Sequence, residues 1–187
     1  MEKNFRQRLG GFSVKTYELS DFEAPPLDLS KPLVLAGKSG MGKTNFLKAH
    51  GKYPLVVKTL DGLRKITETT DLVIFDDMNF RDLGLTADQM IALLDIEETI
   101  TIKTRPNFKG DDATLRAGLK RAFSTNLLVR EIFPDGKNPE QQTGIDRRFN
   151  LVTVTKPLFN PKVQRFRKAM ISVATLLLKR MEPAENQ

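Results

Sequence analysis

Residues Leu33 to Ala36 form a short apolar run, and the eight residues after it read Gly37-Lys38-Ser39-Gly40-Met41-Gly42-Lys43-Thr44 before a helical pattern opens at Lys43. This order of strand, glycine-rich turn and helix constrains the chain more than any other feature. It fits G-x-x-x-x-G-K-[ST] in the context that the pattern requires. Glycines let successive backbone N–H groups turn inward around an anion, and the helix N-terminus adds the positive end of its dipole. Lys43 is then placed to reach the β and γ phosphates of a nucleotide, and the Thr44 hydroxyl to ligate Mg²⁺. With glycine near 7% of residues in average proteins, four such fixed positions coincide by chance about once in tens of thousands of positions. The expected ligands are ATP and Mg²⁺, bound along Gly37 to Thr44.

The buried run Leu72-Val73-Ile74-Phe75 ends in Asp76-Asp77. An acidic pair at a strand end serves as a turn or helix cap in many proteins. Next to a phosphate loop it serves a second purpose, because adjacent carboxylates repel and a divalent cation relieves that repulsion. Asp76 is the expected cation ligand, and Asp77 the group that orients and deprotonates an attacking water. Further along, apolar runs at 55–57 and 149–154 and helical patterns at 43–50, 60–66 and 86–96 alternate with these strands, which predicts an α/β fold with a parallel sheet. Thr86 is the expected N-cap of the helix that carries Met90, Ile91, Leu93 and Leu94. After that helix the rhythm changes. Residues 99–103 and 119–125 are β-like, joined by a polar stretch, 104–118, that has the character of a long hairpin or loop.

Composition narrows the remaining classes. The chain has 187 residues, no cysteine and a single histidine, His50, so disulfides, thiolate sites and histidine clusters are excluded and zinc with them. No apolar run reaches the roughly 18 to 20 residues of a membrane span, which predicts a protein of the cytoplasm or nucleus. The net charge is +7, and its distribution is uneven. Residues 51–100 hold ten acids against five bases, whereas 101–130 hold seven bases against two acids and 147–181 hold nine bases and no acid. An acidic flank beside basic segments suits a polyphosphate track on one side of the molecule, although solvated faces also carry such charge.

From Pro32 to Val154 the motif order resembles that of the superfamily 3 helicases, above all the Rep proteins of small circular single-stranded DNA viruses and related plasmids. The residues that carry the resemblance, beyond the loop and the acidic strand end, are Lys109-Gly110, Ser124-Thr125-Asn126 and Asp146-Arg147-Arg148. The resemblance implies an AAA+-like phosphate-loop core with a central parallel sheet of five strands flanked by helices, plus a β-hairpin insertion. It also implies Asn126 as the sensor of the γ phosphate, Arg147 or Arg148 as an arginine finger for the neighbouring subunit's ATP, and a homo-oligomeric ring, expected to be a hexamer, on single-stranded DNA. The hairpin residues Lys103, Arg105, Phe108 and Lys109 would grip that strand with cations and one ring. The two histidines and the catalytic tyrosine of a complete Rep nickase are missing, since Tyr17 and Tyr53 are the only tyrosines.

Three other readings share parts of this pattern. A picornavirus-type ATPase acting on RNA belongs to the same superfamily, a nucleotide kinase shares the phosphate loop, and an ATP-gated DNA-binding module needs no hydrolysis. The expected organisation is a lead-in or linker over 1–30, a core over 31–160, and a C-terminal helix and tail over 161–187. In that helix Val163, Phe166, Met170, Val173 and Leu177 share one face.

Overall fold

The computed structural model describes residues 17–104 and 112–163. Five strands make one parallel sheet: β1 (Leu33–Gly37), β2 (Pro54–Val57), β3 (Leu72–Asp76), β6 (Lys120–Thr125) and β7 (Asn150–Val154). Their order across the sheet is β2-β3-β6-β1-β7. The expected five-stranded parallel α/β core is therefore present, and it is consistent with a phosphate-loop nucleoside triphosphatase-like core. Two further strands, β4 (Ile100–Lys103) and β5 (Asp112–Leu115), pair antiparallel in a separate sheet.

Period-two alternation explains why both faces of the main sheet are covered. Val34, Val73, Phe75 and Phe123 point into one apolar cluster, while Leu33, Leu35, Leu72, Ile74 and Ala122 point into a second one behind it. A sheet buried on both faces needs near-continuous apolar strands, and β3 shows the result, with all five residues buried. The second cluster is closed by helix α1 (Lys43–Lys48) through Phe46 and Leu47, and by Phe22 and Leu29 from the segment before β1. His50 ties that segment down, its Nε2 accepting from Leu27 N at 2.8 Å.

The first cluster is closed by helix α2 (Ala87–Leu94), which buries Ala87, Met90, Leu93 and Leu94. Thr86 caps it reciprocally with Gln89: the Gln89 N–H donates to Thr86 Oγ1 at 3.2 Å and the Thr86 N–H to Gln89 Oε1 at 2.9 Å. The short helix α3 (Val129–Ile132) follows β6, and helix α4 (Pro139–Asp146) packs against α2. Sequence periodicity missed α4, although Asn138 caps it through Gln141 N at 2.8 Å and Pro139 opens it. It buries only Gly144 and Ile145, so it has no apolar stripe to read.

The stretch 104–118, read as a long hairpin or loop, contains β5, which pairs antiparallel with β4. Its four residues alternate exposed and buried, with Ala113 and Leu115 turned to the core. Residues 119–125, read as β-like, join the main sheet between β1 and β3 instead of the hairpin. Arg105, Phe108 and Lys109 lie outside the described residues, as does the expected C-terminal helix beyond Val163. Among the described residues no helix is long and apolar enough to cross a membrane.

Arg121 is the largest side chain in the core and is almost wholly buried. Its Nη1 donates to the carbonyls of Ala92 at 3.2 Å, Leu93 at 2.5 Å and Asp95 at 2.8 Å, acceptors at the end of α2 where intrahelical partners run out. Burial pushes the guanidinium down to about 10, with the Asp95 carboxylate opposing. Its Nε and Nη2 find no acceptor among the described residues. Replacing Arg121 by Met orphans the carbonyls of Leu93 and Asp95, while Ala92 O keeps the Asp95 N–H, so we expect a loss of about 2 to 4 kcal/mol in urea unfolding. A variant as stable as the parent would show that the cap contributes nothing.

Candidate active site

The phosphate-loop pattern forms the turn between β1 and α1. Gly42 adopts φ 88°, and a Cβ there would stand 2.7 Å from the Phe159 ring, so both backbone and space demand glycine. Phe159 stacks on Phe22 at 4.8 Å, and the neighbouring Leu158 N–H donates to Met41 O at 2.9 Å. The loop is thus braced from behind by the chain that follows β7. Lys38, Ser39 and Gly40 are exposed on its outer side, and nothing lies within 4 Å of a Cβ built at Gly40.

Lys43 is buried, and its ammonium donates to Gly37 O at 2.7 Å, Lys38 O at 2.9 Å and Asn126 Oδ1 at 2.8 Å. Burial pushes its pKa below the ordinary lysine value, with Asp77 and then Asp76 pulling it back. Thr44 Oγ1 donates to Asp76 Oδ1 at 2.5 Å and lies 3.2 Å from Ser124 Oγ. The other Asp76 oxygen, Oδ2, meets Lys58 Nζ at 3.3 Å. These contacts join four strands of the sheet at their C-terminal ends.

The strand order is what brings them together. β6 lies between the loop strand β1 and the acidic strand β3, so Ser124 sits level with Asp76 and Asn126 follows two residues later. Asn126 donates from Nδ2 to Asp77 Oδ2 at 3.2 Å while its Oδ1 accepts from Lys43. Asp77 is exposed and is the one non-glycine residue with positive φ, 51°, among the described residues. Its N–H donates to Ser124 O at 2.8 Å, which fixes the turn and carries the side chain off the strand. Asp and Asn tolerate this left-handed conformation better than other non-glycine residues, and strain of this kind gathers at functional sites.

The donor set suits a metal–nucleotide pair. A hydroxyl and a carboxylate in contact, backed by a second hydroxyl, offer hard oxygen ligands for Mg²⁺, which ordinarily takes one or two carboxylates and completes its shell with phosphate oxygens and water. No group of three or more carboxylate or histidine side chains that would form an all-protein cage occurs among the described residues.

The arginine pair is elsewhere. β7 runs parallel to β1 with Asn150 opposite Leu33 and Val154 opposite Gly37, so Arg147 and Arg148 stand where β1 begins and the phosphate loop where it ends. About 13 Å of strand separates the two ends. The members of the pair also differ. Arg148 is held by its own helix end, donating to Gly144 O at 2.8 Å, and its Nε lies 3.8 Å from Asp95 Oδ2. Arg147 is exposed. Lys103 is exposed on β4, opposite Asp112 across the hairpin.

Sequence reasoning missed Lys58 and Ser124. Lys58 gave no signal because it acts only through the register of β2 against β3, where Val57 is level with Phe75. Ser124 was visible as part of Ser-Thr-Asn, but its place beside Thr44 depends on β6 entering the sheet between β3 and β1.

No protein-family model matches the chain, and no curated protein matches it. Among solved structures it is similar to JCV helicase, in a crystal structure with N-(4-(2-(thiazolo[5,4-c]pyridin-2-yl)phenoxy)phenyl)acetamide bound, at 16% identity and a TM-score of 0.36. The match covers 80% of this chain and 41% of that one, so the chain spans about two-fifths of its length. So loose a likeness carries no functional assignment.

Proposed function

We propose that the chain is a Mg²⁺-dependent ATPase and the motor domain of a superfamily 3 replication helicase of the Rep type, acting as a ring on single-stranded DNA in the cytoplasm or host nucleus. One observation supports the hydrolytic part above the others: a single amide, Asn126, joins the buried ammonium of Lys43 to the carboxylate of Asp77. A triphosphate whose end lies against Lys43 then has a carboxylate base beside it. Water attacks the γ phosphorus, Asp77 takes its proton, and the bond to the bridging oxygen breaks to release ADP and inorganic phosphate. Asn126 keeps the base aimed, since its amide holds Asp77 while its carbonyl faces the ammonium. Thr44 and Asp76 would hold Mg²⁺, which would supply charge neutralisation to the triphosphate. Arg147 would complete the site of the next subunit, because it is exposed and too far from its own phosphate loop.

Phosphate release measured with and without single-stranded DNA, at several protein concentrations and with an added nucleoside, tests this reading. Free phosphate that rises with DNA and with protein concentration is the expected result. Transfer to the nucleoside would make the chain a kinase, and turnover indifferent to DNA would remove the motor.

For the strand track we expect Lys103, Arg105 and Lys109 to supply affinity that is independent of sequence and steep in salt. Losing three phosphate contacts on a single strand should flatten the slope of log K against log salt by about 2. Binding of labelled oligonucleotides to the triple alanine variant measures this directly, and an unchanged slope would move the track to the basic residues 162–180.

A further inference from the structure

We propose that Lys58 is a built-in counter-ion for the cation seat, holding Asp76 in the absence of metal and giving way when a divalent cation arrives. The inference rests on the reading of Asp76 as the cation ligand and adds a residue that competes with the cation. Three observations carry it. First, the placement comes from the sheet: β2 and β3 are parallel with Val57 level with Phe75, so the next residues, Lys58 and Asp76, stand side by side at the strand ends. Second, the two Asp76 oxygens are divided. Oδ1 accepts the Thr44 hydroxyl at 2.5 Å, and Oδ2 faces the Lys58 ammonium at 3.3 Å. Third, the partners differ in exposure, since the Asp76 side chain is 10% exposed and the Lys58 side chain 73%.

These facts fit displacement better than a permanent bridge. A buried carboxylate beside the Asp77 charge needs compensating cations; Lys43 is near enough to feel both charges, but its hydrogen bonds go to Gly37 O, Lys38 O and Asn126 and none goes to Asp76. Lys58 supplies that charge from a long solvated stem that loses little on release, because exposed ion pairs contribute modestly. A divalent cation brings twice the charge to the same oxygen. Ammonium and metal then compete for Oδ2, and the site trades one for the other without leaving Asp76 bare.

The test titrates the full chain with Mn²⁺ alone, following water-proton relaxation, for the parent and for Lys58→Met, Lys58→Gln, Lys58→Arg and Asp76→Asn. Removing the competitor should tighten Mn²⁺ binding in Lys58→Met by about fivefold, the upper value for ion pairs open to solvent, as this one is on its Lys58 side, while Lys58→Arg stays near the parent. Lys58→Gln should reproduce the Met variant if the effect is one of charge and not of the apolar stem. Unchanged or weaker Mn²⁺ binding in both neutral variants overturns the proposal. Asp76→Asn separates this from the reading beneath it: if that variant binds Mn²⁺ as the parent does, Asp76 is no metal ligand and both ideas fall together.

Discussion

Lys43→Ala is expected to lose nucleotide binding, and Asp77→Asn to bind nucleotide normally while losing turnover. The difference follows from what each side chain holds. Lys43 is the buried cation of the loop, with three acceptors on its ammonium. A triphosphate would draw on that same ammonium through charge-assisted bonds worth about 1.5 to 3 kcal/mol each, so two of them lost weaken binding by about a hundredfold or more. Lys43→Met keeps the apolar stem and guards against a packing explanation. At Asp77 the substitution is cleaner, because Asn accepts the same positive φ and the backbone bond to Ser124 O stays in place. Only the proton acceptor disappears, at a cost of about 10²- to 10⁴-fold in turnover. Fluorescent-nucleotide binding and phosphate release, measured on the same samples, read the two effects apart. Parent-like turnover in Asp77→Asn would move the base to another group, with Asp76 the first to examine.

The same positive φ offers a reason for the short side chain at this position. Glu carries a larger penalty in the left-handed region than Asp, since it lacks the local hydrogen bonding that lets Asp and Asn settle there. The short carboxylate is held by Asn126, whose Nδ2 donates to Asp77 Oδ2 at 3.2 Å from the neighbouring strand end.

How much of this was legible beforehand depends on whether a feature is local in the chain. The phosphate loop and the acidic end of β3 are contiguous patterns, and so are the apolar strands that make the sheet parallel and doubly covered. Strand order is a different kind of information. Nothing local says that β6 enters between β3 and β1, yet that insertion is what sets Asn126 against Lys43, 83 positions away, and Ser124 against Thr44, 80 positions away. Asn126 was found only through the resemblance in motif order. Lys58 was not found at all, because its partner follows from inter-strand register. Arg121 is non-local in the same way: nothing in the β-like run 119–125 marks this base as one that the chain buries to cap α2. The hairpin was expected and β4 and β5 form it, but the bounds of β5 were not legible, since four alternating residues in a polar stretch carry too little pattern to separate strand from loop.

Hydrolysis should require a neighbouring subunit, and the two arginines should behave differently when this is tested. Arg147 stands at the far end of the sheet from its own phosphate loop, beyond the reach of one side chain, and is exposed. Arg148 is engaged with Gly144 O and Asp95. We therefore expect Arg147→Ala to fold as the parent does and to lose about 10³- to 10⁵-fold in turnover, the range for a finger that neutralises the transferring phosphoryl group. Arg148→Ala should lower stability by comparison. The decisive experiment mixes Arg147→Ala with Lys43→Ala, each inactive alone. In a ring every interface is heterologous, with a loop from one subunit and a finger from the next, so random equal mixing leaves about a quarter of interfaces with both parts intact. Activity near that fraction of the parent's is the expected result, together with parent turnover per subunit that climbs as protein concentration rises. A mixture that recovers nothing, beside turnover that is flat from dilute to concentrated protein, would make Arg147 a surface residue. Catalysis would then belong to the single chain, and the ring would lose its main support.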